Sequence, residues 1–201
     1  VGNPNVGKSS LFNALTGLHQ HTGNWPGKTV ATAAGPCSID GAAVELIDLP
    51  GTYSLSARSP EEEVAAEYIS FGSADAVIVV CDATALERNL YLALQVMEIT
   101  NRVVICANLM DEAGKRGITV DLPRLSQLLG VRVVGTSARQ KKTLPPLLRA
   151  AVAAAQERHR KPVPVRYGEA IEAGLFAIEA RLDELLPGAM PNHRWIAMQL
   201  L

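Results

Sequence analysis

The sequence predicts an α/β fold with a mainly parallel sheet, followed by a small all-helical segment. Short β-branched runs alternate with amphipathic helical patterns over residues 1–160, the order that builds a parallel sheet with helices on both faces. Glycine-bearing and acidic turns follow those runs, at the carboxyl ends where open α/β sheets bind ligands. After "KPVP" at 161–164, a stretch that disfavours a continuing helix, the pattern becomes helical only. The expected boundary therefore separates 1–160 from 161–201.

The chain of 201 residues opens at Val1, directly before a glycine motif; a strand is expected to end there, with residues missing upstream. "GKSSLFNALTG" predicts a helix closing at Gly17. "HTGNWPGKTV", with His21 and Trp25 and with His19 just before it, reads as a loop. "ATAAGPCSIDGAAVELIDLP" predicts two strands turned at Asp40-Gly41. "SPEEEVAAEYISF" opens a helix with Ser59 as cap, Pro60 in the first turn and Glu62 three residues on. "DAVIVVCD" and "RVVICAN" read as buried strands flanking the helix "ERNLYLALQVMEIT". "DLPRLSQLLG" is a helix, "VRVVGTSA" a strand and "TLPPLLRAAVAAAQERHR" a helix. In the tail, Ile171, Leu175, Ile178, Leu182 and Leu185 recur at helical spacing. Pro187-Gly188 ends that helix. Trp195, Ile196 and Leu200 begin another, with Trp195 as a core anchor.

Composition narrows the function. Hydrophobic residues make up 48%, enough for a sizeable core, and the 19 basic and 20 acidic residues nearly cancel. That balance argues against a nucleic-acid partner. No run of 18 apolar residues is present to span a membrane, and no signal peptide. Cys37, Cys81 and Cys106 are far apart and odd in number, and the last two lie in apolar runs. They read as buried free thiols of a reducing compartment rather than metal or redox groups.

"GNPNVGKS" at 2–9 fits G-x-x-x-x-G-K-[ST] without mismatch. A nucleotide polyphosphate needs backbone N–H groups turned inward around it, and side chains would obstruct them. Gly2 and Gly7 supply that freedom, while Asn3, Pro4, Asn5 and Val6 complete the loop. Lys8 brings a cation to the β- and γ-phosphates, Ser9 a hydroxyl for Mg²⁺, and Ser10 continues into a helix whose positive end faces the phosphates. The motif predicts a P-loop NTPase.

Three further motifs follow in order, each at the end of a strand. In "DLPG", Asp48 can hold Mg²⁺ through a water, Leu49 and Pro50 follow, and the Gly51 N–H can sense a γ-phosphate. "NLMD" is Asn108, Leu109, Met110 and Asp111; a carboxylate at Asp111 accepts from the N1–H and 2-amino group of guanine, a donor pair that adenine lacks. "TSA" is Thr136, Ser137 and Ala138, whose backbone can contact the guanine O6. The order of the four, more than any one of them, identifies a GTP/GDP site.

With these residues the chain resembles a translation-factor-related GTPase domain, and more closely the cytosolic N-terminal domain of the FeoB family of prokaryotic ferrous-iron transporters. "HTGNWPGKTV", "DLPGTYSLSARSPEE" and the lysine-free "NLMD" carry the closer resemblance, with the helical tail after "KPVP". It implies a Ras-like G domain that hydrolyses GTP, a helical domain that damps nucleotide release, and a transmembrane part beyond this stretch at the cytoplasmic face of the bacterial inner membrane. "HTGNWPGKTV" becomes switch I. Gly27, Lys28, Thr29 and Val30 line the nucleotide, and Thr29 reaches Mg²⁺ and the γ-phosphate. Lys8, Asn5, Thr29 and Gly51 are the expected catalytic groups. Ser9, Thr29 and Asp48 are the Mg²⁺ set, and Asn5 is a K⁺ ligand in potassium-stimulated members. Accessory transport proteins and a second copy of the chain are the further partners considered.

Two departures matter. Thr52 stands where Ras-like enzymes carry a water-orienting glutamine and is too short for that pose, so intrinsic hydrolysis is expected to be slow, about 10⁻⁴ to 10⁻² s⁻¹. Leu109 replaces the lysine of N-K-x-D, which predicts weaker nucleotide binding and faster GDP release, countered by the tail restraining 136–138.

An Era-like RNA-associated GTPase is the alternative, but the tail's Arg166, Arg181 and Arg194 are outnumbered by Glu169, Glu172, Glu179, Asp183 and Glu184. His19 and His21 are thin grounds for a metal site. His159 and His193 read as surface residues. The acidic run at 61–63 reads as a helix N-terminus, with a transporter contact or metal role as the less favoured reading.

Overall fold

The computed structural model describes residues 1–17, 21–24, 30–56, 59–71, 74–157, 165–186 and 193–201. A parallel sheet forms its centre. Strand β4 (Val77–Asp82) pairs with β5 (Val103–Asn108), which pairs with β6 (Arg132–Gly135). Alternate residues of β4 and β5 enter opposite layers. Val77, Val79, Cys81, Val103 and Ile105 meet helices α2 (Pro60–Phe71) and α3 (Leu86–Ile99). Val80, Val104 and Cys106 meet α1 (Lys8–Thr16) and α6 (Leu144–Gln156). A strand buried on both faces is apolar throughout, which is why these runs lack the alternation of a half-exposed sheet.

A second sheet is antiparallel. Strands β2 (Ala31–Ile39) and β3 (Ala42–Asp48) form the predicted hairpin, and β1 (His21–Asn24) adds to the far edge of β2. Asp40 and Gly41 have φ of 49° and 82°, the pair of positive values that a two-residue hairpin turn requires. The stretch expected to be wholly a loop is therefore a strand over His21–Asn24. These residues carry little intrinsic strand preference and are extended because the edge of β2 offers them hydrogen bonds. Residues 25–29, with Trp25, lie outside the described part, as do His19, His159, the "KPVP" boundary and Pro187-Gly188.

Val1 and Gly2 join the two sheets. Val1 donates to Ile78 O at 3.0 Å, and Val80 N donates to Val1 O at 2.8 Å. On the other side Thr52 N donates to Gly2 O at 3.1 Å. The expected strand ending is thus present as one parallel bridge, Gly2 to Val80.

The helices obey their local signals. Gly17 closes α1 in the left-handed region, with φ 64°, and Ser59 Oγ accepts from Glu62 N at 3.2 Å as the cap of α2. The acidic run at 61–63 is the first turn of that helix, where the macrodipole favours negative charge. Asp121 caps α5 (Leu122–Leu129). Helix α6 stops at Gln156, short of the predicted span. A six-residue helix, α4 (Met110–Lys115), opens within "NLMD", which the sequence placed only at the end of a strand.

The tail forms α7 (Glu169–Leu185) and α8 (His193–Leu200). Leu175, Leu182 and Ala197 make their own small core. Ile171 and Leu185, expected on the same buried face, are 43% and 63% exposed. Trp195 is a core anchor as predicted, but of the main core, where it joins Leu92 and Val96 of α3. Arg194 strengthens that junction: Nε donates to Glu98 Oε2 of α3 at 3.3 Å, and Nη1 and Nη2 grip Glu172 of α7 at 3.2 and 2.9 Å. Among the described residues the tail's anchor on the main body is α3, through Trp195 and Arg194. His193 is not a surface residue. Its ring pairs with Asp183 and its side chain is only 15% exposed.

No disulfide links the cysteines; all three are free. Burial pushes both the Cys81 and Cys106 thiols up to about 12. A thiol reagent at mildly alkaline pH is therefore expected to modify at most Cys37 in the folded protein, and the other two only after denaturation. Three equally fast thiols would contradict this packing.

Candidate functional site

The four sequence motifs meet at the carboxyl edge of the sheets. The first carries the tightest backbone. Asn5 and Gly7 have φ of 65° and 80°, values that asparagine and glycine tolerate best. A Cβ on Gly7 would lie 2.6 Å from Asn108 Nδ2, and one on Gly2 would lie 2.6 Å from Val80 O. Both positions exclude any side chain. Val6 is buried in the core beneath the loop and Asn5 is exposed at its crest.

Lys8 Nζ reaches Asp48 Oδ1 at 2.5 Å, with both side chains 14% exposed. Ser9 Oγ lies 3.5 Å from Asp48 Oδ2. A hydroxyl and a carboxylate converging beside an ammonium are the hard oxygen donors that Mg²⁺ takes, so the residues present fit that ion. The rest of "DLPG" is fixed by packing. Leu49 is buried in the main core, and Gly51 backs onto Pro4, with its Cβ position 3.3 Å from Pro4 Cα. Thr52 is 3% exposed, and its hydroxyl is turned inward to donate to Ser54 O at 2.6 Å. It is therefore unable to face a water, for a reason beyond its short reach.

Asn108 is fully buried and braces the phosphate loop. Its Nδ2 donates to Val6 O at 3.0 Å, while its Oδ1 accepts from Thr136 Oγ1 at 3.0 Å. Leu109 sits in the left-handed region at φ 62°, and its Cδ2 comes 3.7 Å from where a Gly7 Cβ would be. An apolar contact thus stands where a lysine stem would brace the loop. Met110 turns away into a small cluster with Ala83, Ala107 and Ala113 and offers no side chain to the site. Asp111 receives the Ser137 hydroxyl at 2.7 Å. That bond, more than the nearby backbone N–H groups and Lys115, holds its carboxyl below the usual carboxylate range. Met110 N donates to Thr136 O at 3.1 Å, tying "NLMD" to "TSA". Ala138 packs beside the core that lies under the phosphate loop. Val30 is buried, Ser10 is exposed, and Gly27, Lys28 and Thr29 fall outside the described residues.

The family model described as ferrous iron transport protein B matches residues 1–151. The chain belongs to that family. This FeoB assignment decides against the Era-like alternative. A fusion of Fe(2+) transport protein A with the Fe(2+) transporter FeoB from Porphyromonas gingivalis is 41% identical over all of this chain and 24% of its own length. FeoB of Salmonella typhi is 38% identical over all of this chain and 26% of its own. The chain thus spans about a quarter of the curated relatives it matches. The cytosolic domain of the T. maritima FeoB iron transporter has been solved in apo, GDP and GMPPNP forms. The apo form is 39% identical with a TM-score of 0.93, covering 100% of this chain and 79% of that one; the GDP and GMPPNP forms superpose equally well. The G domain of that protein alone covers 77% of this chain at 44% identity. The fold is that of a FeoB G domain, a P-loop GTPase fold.

Proposed function

We propose that this chain binds GTP and hydrolyses it to GDP and phosphate, and that it is the regulatory GTPase portion of a ferrous-iron transporter. The convergence of the four motifs carries the reading. Lys8 meets Asp48, Asn108 holds the phosphate loop at Val6, and Ser137 holds Asp111. The GDP and GMPPNP forms of the T. maritima relative support a guanine nucleotide as the ligand. Residues 1–160 would be the GTPase domain and 161–201 the start of the helical one, a division supported by the relative's separate G domain.

Each residue then has a task that its position allows. Inward N–H groups of the phosphate loop cradle the phosphates, and Lys8, pre-aimed by Asp48, exchanges that carboxylate for the β- and γ-phosphates. Ser9 and Asp48, with Thr29, would hold Mg²⁺, which would supply positive charge to offset the negative charge of the phosphates. The Gly51 N–H detects the γ-phosphate. Asp111 selects guanine and the 136–138 backbone completes the base site. With Thr52 turned inward, backbone groups of the switches would hold the attacking water, so unaided turnover is slow.

Asn5, exposed at the crest of the phosphate loop, is proposed as a ligand for a stimulating K⁺. Phosphate release from GTP, compared with ATP and measured in K⁺ and in Na⁺ buffers, tests both statements. Turnover of GTP alone, several-fold faster in K⁺, is expected. Equal rates in the two salts would remove the K⁺ role, and no release from GTP would remove the enzymatic one. No helix among the described residues is long and apolar enough to cross a membrane. Attachment to a transmembrane part at the cytoplasmic face of the inner membrane, self-association and accessory transport proteins are assigned in this reading to the whole transporter; the chain spans about a quarter of the relatives' length.

A further inference from the structure

The segment that follows "DLPG" has no regular secondary structure over 51–56, yet Leu55 within it is only 1% exposed and joins the main core. Burying that residue also buries its backbone N–H, which needs an acceptor. Helix α3 supplies one from its side. Gln95 Oε1 accepts from Leu55 N at 2.8 Å, and Gln95 Nε2 lies 3.4 Å from Ser54 Oγ. The other hydrogen bonds described for 52–56 are local turns, in which the Thr52 hydroxyl engages Ser54 O and the Ser54 hydroxyl accepts from Ser56 N at 3.1 Å. Thr52 N, donating to the carbonyl of Gly2, is the exception. Among the described residues, Gln95 is the one side chain outside the segment that hydrogen-bonds to its backbone.

We propose that Gln95 is a positioning residue for GTP hydrolysis, holding the segment after Gly51 docked so that the Gly51 N–H keeps a fixed place above the phosphate loop. The inference rests on the GTPase reading above. Downstream of Gly51 the chain is held first by Thr52 N on the Gly2 carbonyl and next, with no regular structure between, by the docked Leu55. If Leu55 undocks, Gly51 loses that support, while Lys8, Asn108 and Asp111, on other elements, keep theirs. Loss of Gln95 should therefore reduce turnover without weakening nucleotide binding, the mark of a contact that orients rather than binds.

Gln95→Leu keeps the side-chain volume and removes both hydrogen bonds. Gln95→Glu keeps an oxygen for Leu55 N–H and an acceptor for the Ser54 hydroxyl. In Gln95→Leu, kcat is expected to fall about tenfold with KM for GTP and affinity for fluorescent GDP within about twofold of wild type; Gln95→Glu is expected to recover most of the loss. An unchanged kcat in Gln95→Leu, a KM that rises in step with it, or a Glu variant no better than the Leu variant would each overturn the proposal. A second readout does not depend on hydrolysis. Tyr53 is 51% exposed, and chymotryptic cleavage after it, identified by mass in the nucleotide-free protein, should be several-fold faster in Gln95→Leu. Unchanged cleavage sinks the Gln95 reading even if wild type proves to have no GTPase activity, a result that would instead remove the parent reading.

Discussion

Asp111→Asn is expected to lower GTP affinity about a hundredfold or more and to leave xanthosine triphosphate as the better ligand. The wild-type carboxylate offers two acceptors to the two donors on the guanine edge. An asparagine presents one acceptor and one donor, so its amide meets the 2-amino group donor to donor. Xanthine has a carbonyl at that position and accepts from the new amide. Ser137 sharpens the contact by donating to Asp111 Oδ1. Because that bond depresses the Asp111 carboxyl, guanine affinity should persist as pH is lowered through the ordinary carboxylate range near about 4, fading only once Asp111 takes a proton. Removing the hydroxyl in Ser137→Ala moves the fading to higher pH. Titration with fluorescent GDP and XDP checks both effects. Intact GTP affinity in Asp111→Asn would place the base elsewhere.

Arg194→Met should be the most destabilising change in the tail, by about 3 kcal/mol, or about 6 to 12 °C in Tm. Removing the guanidinium takes the Arg194 ion pair from Glu98, whose side chain is 5% exposed. The figure sits at the lower end of the range for a broken buried pair because Arg194 itself is 22% exposed. The pH dependence follows from Glu98. Burial already raises its carboxyl above the usual value even with Arg194 present, and losing Arg194 raises it further. A raised folded-state pKa costs stability above that pKa and costs nothing below the unfolded one. The gap between Arg194→Met and wild type should therefore shrink as pH falls from about 7 toward the unfolded glutamate value near about 4.3. Glu98→Gln on top of Arg194→Met should recover most of the loss at neutral pH. Thermal melts across pH test this, and a gap constant with pH would assign the loss to packing of the arginine stem instead.

Much of the fold was legible because its signals are local. A glycine in the left-handed region ends α1 and a serine caps α2. Asp40-Gly41 turns the hairpin, and the apolar runs of β4 and β5 announce strands with two covered faces. The phosphate loop was legible for the same reason, since its glycines answer to backbone geometry within a few residues. What was missed depended on distant partners. His21–Asn24 is a strand only beside β2, and α4 forms where Met110 N finds Thr136 O. Ile171 and Leu185 fit the helical period of α7 but lie on a part of it that Leu175 and Leu182 do not share. Gln95 looked like any polar residue inside an amphipathic helix.

By itself the sequence determined the kind of chemistry, because phosphate, Mg²⁺ and guanine each demand a short run of residue types that folding only has to present. The tertiary structure alone decided how those runs are held against one another. Asn108 under Val6, Pro4 behind Gly51, Gln95 beneath Leu55 and Arg194 across Glu98 are pairs formed between elements far apart in the chain. Their worth comes from burial, where an unpaired N–H or carboxylate is costly, and burial is a property of the packed whole.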